Sequence, residues 1–583
     1  MAVKRKSPRP TRATRATRAT KTARPKLRRA PRAKPARITK SAVTARSSGA
    51  RNEYRIYPSI GIARVGDSKD GFIIGPEAPG VAPDGPFRGK DDGIKPQGAR
   101  FRVFQVDIDA NENETVTREV TGAPDVQIEW TVQLANRKAA ARQIFGDGTG
   151  TLTRNKAAKF RNAGLDRDKL VIASVASIKN AAGAAATPMT GSIIFAKAKK
   201  VHHRVDDIAL ATLRTDDAGR LIVVGGPGTA GSPANTKLES FSDNDGWYDS
   251  VSDGPVSATL RIGTTSHPVI PAWATVTVPR YAPELYGIIT WFDQALNMAR
   301  TSEDGTFNPP RTTSFLHDVY PILKRTDDVA AVHFTAHGTG GDPLSSPQRL
   351  EQFQSDGDMR KNLLNRLTQP NDEAPKPGSL PRMLMPRLNS GANPDPKGPK
   401  WAFLSLTPYQ LAHLQHWALG DFANDWPGAE PKPTAFEKIP LARQPHALNQ
   451  AALEACVGAP FFPGIEGTYD IARISTYHPE RYLRQEFRID PRLPAGSLSE
   501  KMALPWQADF ADCQSDWWPS QRPVEVTTKS GKGAQWSRGI DDPKPNTNHR
   551  NMASFWSRLA FIVRDDATGT FREQGRLVIN GKG

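Results

Sequence analysis

The stretch VQIEWTVQL at residues 126–134 decides the fold class of the first half of the chain. Apolar side chains occupy every second position of it: Val126, Ile128, Trp130, Val132 and Leu134. A period of two is typical of a β-strand with one buried face, and the intervening Thr131 is itself a strand former. The stretch therefore predicts a strand that packs one side onto a core.

Similar short strands are predicted on both sides of this stretch. They are FRVFQVDID (101–109), GRLIVVGG (219–226), SATLRIG (257–263) and ATVTVPRY (274–281). Glycine and proline turns separate them, which is typical of a β-sandwich or a barrel-like unit. We expect a β-rich N-terminal domain over residues 52–283.

Helical periodicity replaces the strand pattern from about residue 284. It occurs in ELYGIITWFDQALNMA (284–299), SFLHDVYPILKR (314–325), MRKNLLNRL (359–367) and TPYQLAHLQHWALGDF (407–422). In the last segment Thr407 is a plausible N-cap with Pro408 at the first helical position, and Leu411, Leu414 and Trp417 share one face. Residues 369–400 read as a long surface loop. The fold class is thus α+β, with a mixed C-terminal domain over residues 284–583.

The positive charge of the chain is concentrated at its start. Residues 1–50 contain 17 Lys and Arg and no Asp or Glu, so removing them from the net charge of +19 leaves +2 for the other 533 residues. Residues 1–51 also contain no aromatic side chain and too few branched apolar ones to build a core, which predicts a disordered basic tail. Binding to nucleic acid or another polyanion is expected only through this tail.

Composition excludes several classes of protein. Two cysteines, Cys456 and Cys513, are too few for a disulfide scaffold, and no signal-peptide pattern occurs at the N-terminus. No run approaches the roughly 18 apolar residues of a membrane span. We expect a soluble, cytoplasmic protein without a membrane partner.

Two histidine pairs and one glycine-rich run carry little chemical signal. His333 and His337 stand four apart in HFTAH, but no Glu follows the first histidine as in the zinc motif HExxH. His413 and His416 flank the apolar face of the helix predicted at 407–422. The run GTGGDP at 338–343 lacks the spacing of a phosphate-binding loop. We predict no metal site.

The two cysteines lie in richer surroundings. Cys456 follows a short helical pattern in ALNQAALEACVGAPFFPGIEG (447–467), and Cys513 lies in MALPWQADFADCQSDWWPSQRP (502–523) with Trp506, Trp517 and Trp518. A cysteine in one apolar turn and tryptophans in another are most often simply core.

Several longer motifs resemble a known family in collinear order between Arg55 and Val526. They are RIYPSIGIARVGDS, FIIGPEAPG, GARFRVFQVD, WTVQLANRKAA, QHWALGDF, CVGAPFFPGIEG, PWQADF and WWPSQRP. Together they resemble the lysine epsilon-oxidase and glycine oxidase family of quinoproteins. The basic tail and the last 50 or so residues lie outside the resemblance.

The resemblance implies a cofactor made from the chain itself, cysteine tryptophylquinone. In it a cysteine sulfur is bonded to a tryptophan indole whose six-membered ring is oxidised to an ortho-quinone. The matching cysteine is Cys456. The spacing of the family favours Trp506 as its partner, with Trp517 or Trp518 as alternatives, and Cys513 is then an ordinary core residue.

The implied activity is oxidative deamination of a primary amine or amino acid. A quinone carbonyl accepts the unprotonated amine, a carboxylate removes the α-proton, and O₂ restores the quinone with release of hydrogen peroxide and ammonia. The resemblance also implies a maturation flavoprotein as partner and a homo-oligomer.

The proton-abstracting base is the least certain part of the site. Family members place an Asp just upstream of the cofactor cysteine, whereas this chain has none there, and Glu454 and Asn449 are the nearest acidic or amide residues. Asp509 and Asp512, close to Trp506, are alternative bases. A non-catalytic binding or structural protein of the same fold, without mature cofactor and with the tail as its working part, is the competing hypothesis.

Deleting residues 1–50 tests the prediction for the tail. The deletion should leave folding and any oxidase activity unchanged, because the segment has too few apolar residues to contribute to a core. Retention on heparin should fall sharply, since 17 of the 19 net positive charges are lost. Circular dichroism, activity assays and salt elution measure the three effects; loss of soluble folded protein would contradict the prediction.

Overall fold

Strands dominate the chain up to residue 277, and helices with short strands follow. The computed structural model describes residues 50–143, 159–180, 184–334, 347–365, 406–459, 465–481, 485–512, 518–540 and 545–579. These described residues belong to one unit. The predicted domain boundary between residues 283 and 284 stays a prediction. One apolar cluster contains Trp130 from one side of this boundary and Trp518 from the other.

The strands of the first half confirm the pattern expected from the sequence. They are β1 (Arg51–Tyr57), β2 (Ile60–Arg64), β3 (Ile73–Ile74), β4 (Gln97–Ile108), β5 (Glu114–Val120), β6 (Val126–Asn136), β7 (Ile172–Lys179), β8 (Thr187–Lys197), β9 (Lys200–Thr215), β10 (Leu221–Gly225), β11 (Ala230–Gly231), β12 (Tyr248–Asp249), β13 (Ser252–Ile262), β14 (Thr265–Ile270) and β15 (Ala272–Thr277). The five predicted strands correspond to β4, β6, β10, β13 and β15. In β6 the alternating apolar residues are buried as expected.

Six of these strands form a closed ring of hydrogen-bonded neighbours, so the sheet is barrel-like. The hydrogen-bonded order is β1, β14, β13, β15, β2 and β4, and β4 pairs again with β1. Tyr54 of β1 lies beside Val269 of β14 in parallel and opposite Gln105 of β4 in antiparallel. Closing a sheet in this way removes unpaired strand edges.

Helices of the second half lie between residues 291 and 555. They are α1 (Trp291–Ala299), α2 (Tyr320–Asp328), α3 (Pro347–Ser355), α4 (Gly357–Leu364), α5 (Pro408–Leu419), α6 (Gln444–Glu454), α7 (Thr468–Ile471), α8 (Trp506–Asp512) and α9 (Pro545–Phe555). Short strands β16 (Glu525–Thr527), β17 (Gly533–Gln535), β18 (Phe561–Arg564) and β19 (Phe571–Gln574) form two hairpins. This mixture confirms the α+β class.

Helix α1 begins seven residues later than the sequence predicted. Thr290 and Asp293 form a capping box, in which each side chain accepts a hydrogen bond from the other residue's backbone amide. A capping box starts a helix at the residue after its first member. Thr290 also forms an isolated β-bridge with Val457, and residues 285–289 before it are irregular or bent, not helical.

Other boundaries differ in smaller ways. The segment predicted helical from residue 314 opens with a π-helical turn, Phe315–Val319, before α2. Arg51, predicted as the last residue of the tail, is the first residue of β1. Residues 1–49 and the predicted loop at 369–400 lie outside the described residues. Within the described part of the chain, no helix is long and apolar enough to cross a bilayer.

Helix α5 confirms its predicted ends. Thr407 forms a capping box with Gln410, Pro408 occupies the first turn, and Gly420 closes the helix in the left-handed conformation at φ +86°. Leu414 and Trp417 are fully buried, whereas Leu411 is only half-buried. The buried face of the helix therefore runs through Gln410, His413, Leu414 and Trp417 and does not include Leu411.

Two leucines of α5 provide a matched test of this packing. Leu414 is 0% exposed and Leu419 is 76% exposed. We expect Leu414→Ala to lower the free energy of unfolding by about 2 to 5 kcal/mol, through lost burial and a cavity. Leu419→Ala should change it by less than about 0.5 kcal/mol. Urea titrations of both variants give the comparison, and equal losses would contradict the packing described.

Candidate functional site

Cys456 lies in a turn directly after α6, held against the residues that precede α1. The amide of Trp291 donates to the Cys456 carbonyl at 3.1 Å, and the amide of Gly458 donates to the Ile289 carbonyl at 2.8 Å. A Cβ at Gly458 would lie 2.2 Å from the Thr290 carbonyl oxygen, so only glycine permits this approach. The cysteine is thus fixed by backbone contacts on both sides.

The Cys456 sulfur is sealed from solvent among charged groups. Its residue is 1% exposed, and Nη2 of Arg64 donates to Sγ at 3.7 Å. Nη1 of Arg64 donates to Oε1 of Glu466 at 2.6 Å, and both side chains are buried. Burial raises the pKa of the thiol well above its ordinary value, with Glu466 adding to the rise and the guanidinium groups of Arg64 and Arg280 opposing it. The thiol is therefore neutral near pH 7.

Trp518 lines a cavity that also contains the residue next to Cys456. This cavity has an empty volume of about 350 Å³, and Tyr286, Val457, Ala459 and Trp518 are among its walls. The turn that carries Trp518 is anchored by Gln521, whose Nε2 donates to the Pro279 carbonyl at 2.7 Å. A buried free thiol and a tryptophan beside its neighbour are the two components that cysteine tryptophylquinone needs, so these residues fit the cofactor.

Trp506 occupies a different setting. It is the first residue of α8, and its ring packs edge-on against Phe510 and Trp556 at centroid distances of 5.0 and 5.4 Å. Its backbone amide donates to Oδ2 of Asp249 at 3.0 Å. These contacts connect Trp506 to β12 and to the region after α9. Trp517 and Cys513 lie outside the described residues.

Glu454 belongs to a buried ionic group on the other side of the cysteine turn. Its Oε1 accepts from Nη2 of Arg325 at 3.0 Å and from Nε2 of Gln450 at 3.0 Å. Arg325 also donates to Oδ2 of Asp293 at 2.9 Å. Burial raises the pKa of Glu454, and the charge of Arg325 opposes the rise. The result is a carboxylate that is held in place yet more basic than an exposed one.

This ionic group forms one wall of a large cleft with an empty volume of about 950 Å³. Its walls include Asp293, Asp318, Arg325, Tyr409, His413 and Glu454. The cleft adjoins the cavity of Trp518, because Nε2 of Gln410, in the wall of the cleft, donates at 3.0 Å to the carbonyl of Ile288, which lines that cavity. A small polar molecule in the cleft would thus lie close to both Glu454 and the cysteine turn.

His413 contributes an unused hydrogen-bonding atom to the cleft. It is 2% exposed, and its Nδ1 lies 3.0 Å from Oγ1 of Thr313 and 3.5 Å from Oδ2 of Asp318. Its Nε2 has no partner among the described residues. Burial lowers the pKa of His413, with Asp318 opposing the change. The sequence predicted an ordinary packed histidine, and a single sequence contains no signal for this orientation.

The other predicted candidates lie away from both cavities. Asp509 is fully buried within α8, and Asp512 at the end of that helix pairs with Nε2 of His549 at 2.7 Å. Asn449 accepts a hydrogen bond from the Ser59 amide at 2.7 Å, which joins α6 to β2. Asp509 and Asp512 therefore share a helix with Trp506 and not with the cysteine turn.

The histidine pair at 333 and 337 is only partly described. His333 is buried, with Nδ1 3.5 Å from Oε2 of Glu525, while His337 and the run at 338–343 lie outside the described residues. In the parts of the chain that are described, no three His, Cys, Asp or Glu side chains are grouped as metal ligands.

Comparisons with known proteins agree with this architecture. Residues 57–276 match the family model described as L-Lysine epsilon oxidase N-terminal, and residues 387–536 match the one described as L-lysine epsilon oxidase C-terminal domain. The two matches lie in the expected order and together span most of the chain. The chain belongs to the L-lysine epsilon-oxidase family.

One relative and two solved structures show the degree of similarity. The chain is 27% identical over 542 residues to the L-lysine 6-oxidase of Marinomonas mediterranea, covering 79% of this chain and 70% of that protein. Crystal structures of the L-Lys epsilon-oxidase from the same organism, one described as the Schiff base intermediate with L-Lys, match with a TM-score of 0.65 at 22% identity. They cover 90% of this chain and 95% or 94% of theirs, so the fold is shared.

Proposed function

We propose that this chain is an oxidase that deaminates a primary amine or amino acid, using a cysteine tryptophylquinone formed by Cys456. Trp518 is the partner that the structure favours, because it lines one cavity with Val457 and Ala459. That shared cavity, in a member of the L-lysine epsilon-oxidase family, is the observation that carries the proposal. Trp506, favoured by sequence spacing, is the alternative partner.

The cofactor would supply an electrophilic carbonyl for a primary amine and would accept two electrons from it. The chain's own residues bind and orient the substrate. The cleft lined by Tyr409, His413 and Glu454 would hold it, and Nε2 of His413 is free to bond a polar group on it. The related enzyme is named for L-lysine, which makes amino acids with a side-chain amine the first substrates to try.

Glu454 is the proposed base for the α-proton of the substrate. A base is most effective when its pKa lies near the working pH, and burial raises the pKa of Glu454 in that direction. Arg325 and Gln450 hold the carboxylate in one orientation. Asp509 and Asp512 remain alternative bases, although neither lines the cleft.

Further parts of the proposal follow from family membership. Oxygen would be the electron acceptor, with hydrogen peroxide and ammonia as products. A partner flavoprotein would mature the cofactor, and the protein would act in the cytoplasm as a homo-oligomer.

Peptide mapping tests the cofactor. In protein matured with its flavoprotein we expect the peptides of Cys456 and Trp518 to be joined, with two hydrogens lost for the thioether and oxygen inserted into the indole. Trp518→Phe should abolish the link and the quinone absorbance, while Trp506→Phe should retain both. The reverse pattern would assign the cofactor to Trp506, and a free alkylated Cys456 in active protein would refute the quinone altogether.

Amide variants of the three carboxylates test the base. Glu454→Gln should slow anaerobic reduction of the protein by L-lysine or another accepted amine by about 10²-fold or more, because general base catalysis contributes at least that much. The quinone spectrum should be unchanged. Asp509→Asn and Asp512→Asn are the matched controls and should reduce at close to the parent rate. A large loss in either control, with Glu454→Gln unaffected, would move the base to α8.

A further inference from the structure

The buried carboxylate of Glu466, ten residues after Cys456 in the sequence, lies beside the turn that carries Cys456. Glu466 is 1% exposed, and its Oε2 accepts from the Val457 amide at 2.9 Å. Its Oε1 accepts from Arg64 at 2.6 Å. Nη2 of Arg64 donates to Sγ of Cys456 at 3.7 Å, so one guanidinium group contacts both the carboxylate and the sulfur. The carboxylate is thus fixed at both oxygens within reach of the sulfur.

Helix α6 does not offer the sulfur an equivalent group. The Cys456 thiol donates to the Ala452 carbonyl oxygen of α6 at 4.0 Å, a group that cannot take up its proton, and the nearest acidic residue in sequence, Glu454, is bonded to Arg325 in the cleft. Family members carry an Asp just upstream of the cysteine, a position without a carboxylate here. Among the described carboxylates, Glu466 is the one that is bonded both to Arg64, which contacts the sulfur, and to the amide next to Cys456.

The charges around the sulfur favour a local proton transfer. Arg64 and Arg280 both donate to the carbonyl of Ala455, the residue before Cys456, at 2.8 and 3.3 Å. Moving the thiol proton to Glu466 leaves the total charge of this closed region unchanged, so no new net charge has to be buried. Arg64, with Nη2 already 3.7 Å from Sγ, would stabilise the thiolate that results.

We propose that Glu466 accepts the proton of the Cys456 thiol when the sulfur is bonded to its tryptophan, in place of a carboxylate on α6. The inference rests on the proposed function. Bond formation removes one hydrogen from sulfur and one from an indole carbon as the carbon–sulfur bond forms. The two electrons and the indole proton pass to an oxidant of the flavin class, the maturation partner, and the sulfur proton passes to Glu466.

The test follows link formation in full-length protein prepared without its flavoprotein and then mixed with it. Mass spectrometry of digests measures joined peptides against time. The parent and Glu454→Gln should form the link at the same rate, whereas Glu466→Gln should form it at least about 10²-fold more slowly. Glu454→Gln is a matched control because it changes the same group in another buried carboxylate near the cysteine.

The outcomes separate the two proposals. If the parent forms no link, the proposed cofactor is refuted. If the parent and Glu466→Gln form it equally fast, the cofactor stands and the role of Glu466 is overturned. A loss in Glu454→Gln equal to that in Glu466→Gln also overturns it, because the effect would then not be specific to Glu466.

A second measurement needs no variant of Glu466. Infrared spectra of unmatured parent protein contain an S–H stretching band of Cys456, assigned by its loss in Cys456→Ala. Donation to the Glu466 carboxylate should shift this band further below the frequency of a thiol in apolar surroundings than donation to a backbone carbonyl does. An unshifted band would overturn the proposal even if Glu466→Gln failed to fold.

Discussion

The buried ion pair between Arg64 and Glu466 joins the two halves of the chain at the cysteine. Arg64 is the last residue of β2 in the barrel, and it also donates to the carbonyls of Val278 and Ala455. Removing one partner of a buried pair typically costs about 3 to 5 kcal/mol, because the other charge stays buried alone. The barrel therefore supplies the cation that fixes the turn after α6. The same cation fixes the position of the sulfur.

Local signals in the sequence predicted much of the fold. Alternating residues in β6 reveal a strand because side-chain direction repeats every two residues, and the ends of α5 follow from Thr407, Pro408 and Gly420. Each of these signals depends on neighbours a few residues away. The start of α1 was missed because Leu285 to Ile289 are apolar at helical spacing, while their conformation depends on pairing with the cysteine turn, far away in sequence.

The site was less predictable for the same reason. Cys456 was found from its motif, and Glu454 from its closeness to Cys456, but the pairing of Glu454 with Arg325 depends on how α2 packs beside α6. From a single sequence, Arg64 and Arg325 would be expected at the surface, because Arg is seldom buried unless paired. The sequence does not separate Trp506 from Trp518, because both lie at plausible separations along the chain from the cysteine. The preference for Trp518 depends on the cavity that it lines together with Val457 and Ala459.

The position of β1 in the barrel affects how the protein is made. This strand leaves the ribosome before the other described strands, yet its parallel neighbour β14 ends at Ile270, so β1 has only β4 to pair with until β14 has been made. Contacts between such distant segments form slowly, and exposed strand edges invite association with other chains. Until β14 has been made, β1 therefore keeps one unpaired edge in the nascent chain. A chaperone or a second nascent chain can bind to this edge before the barrel closes.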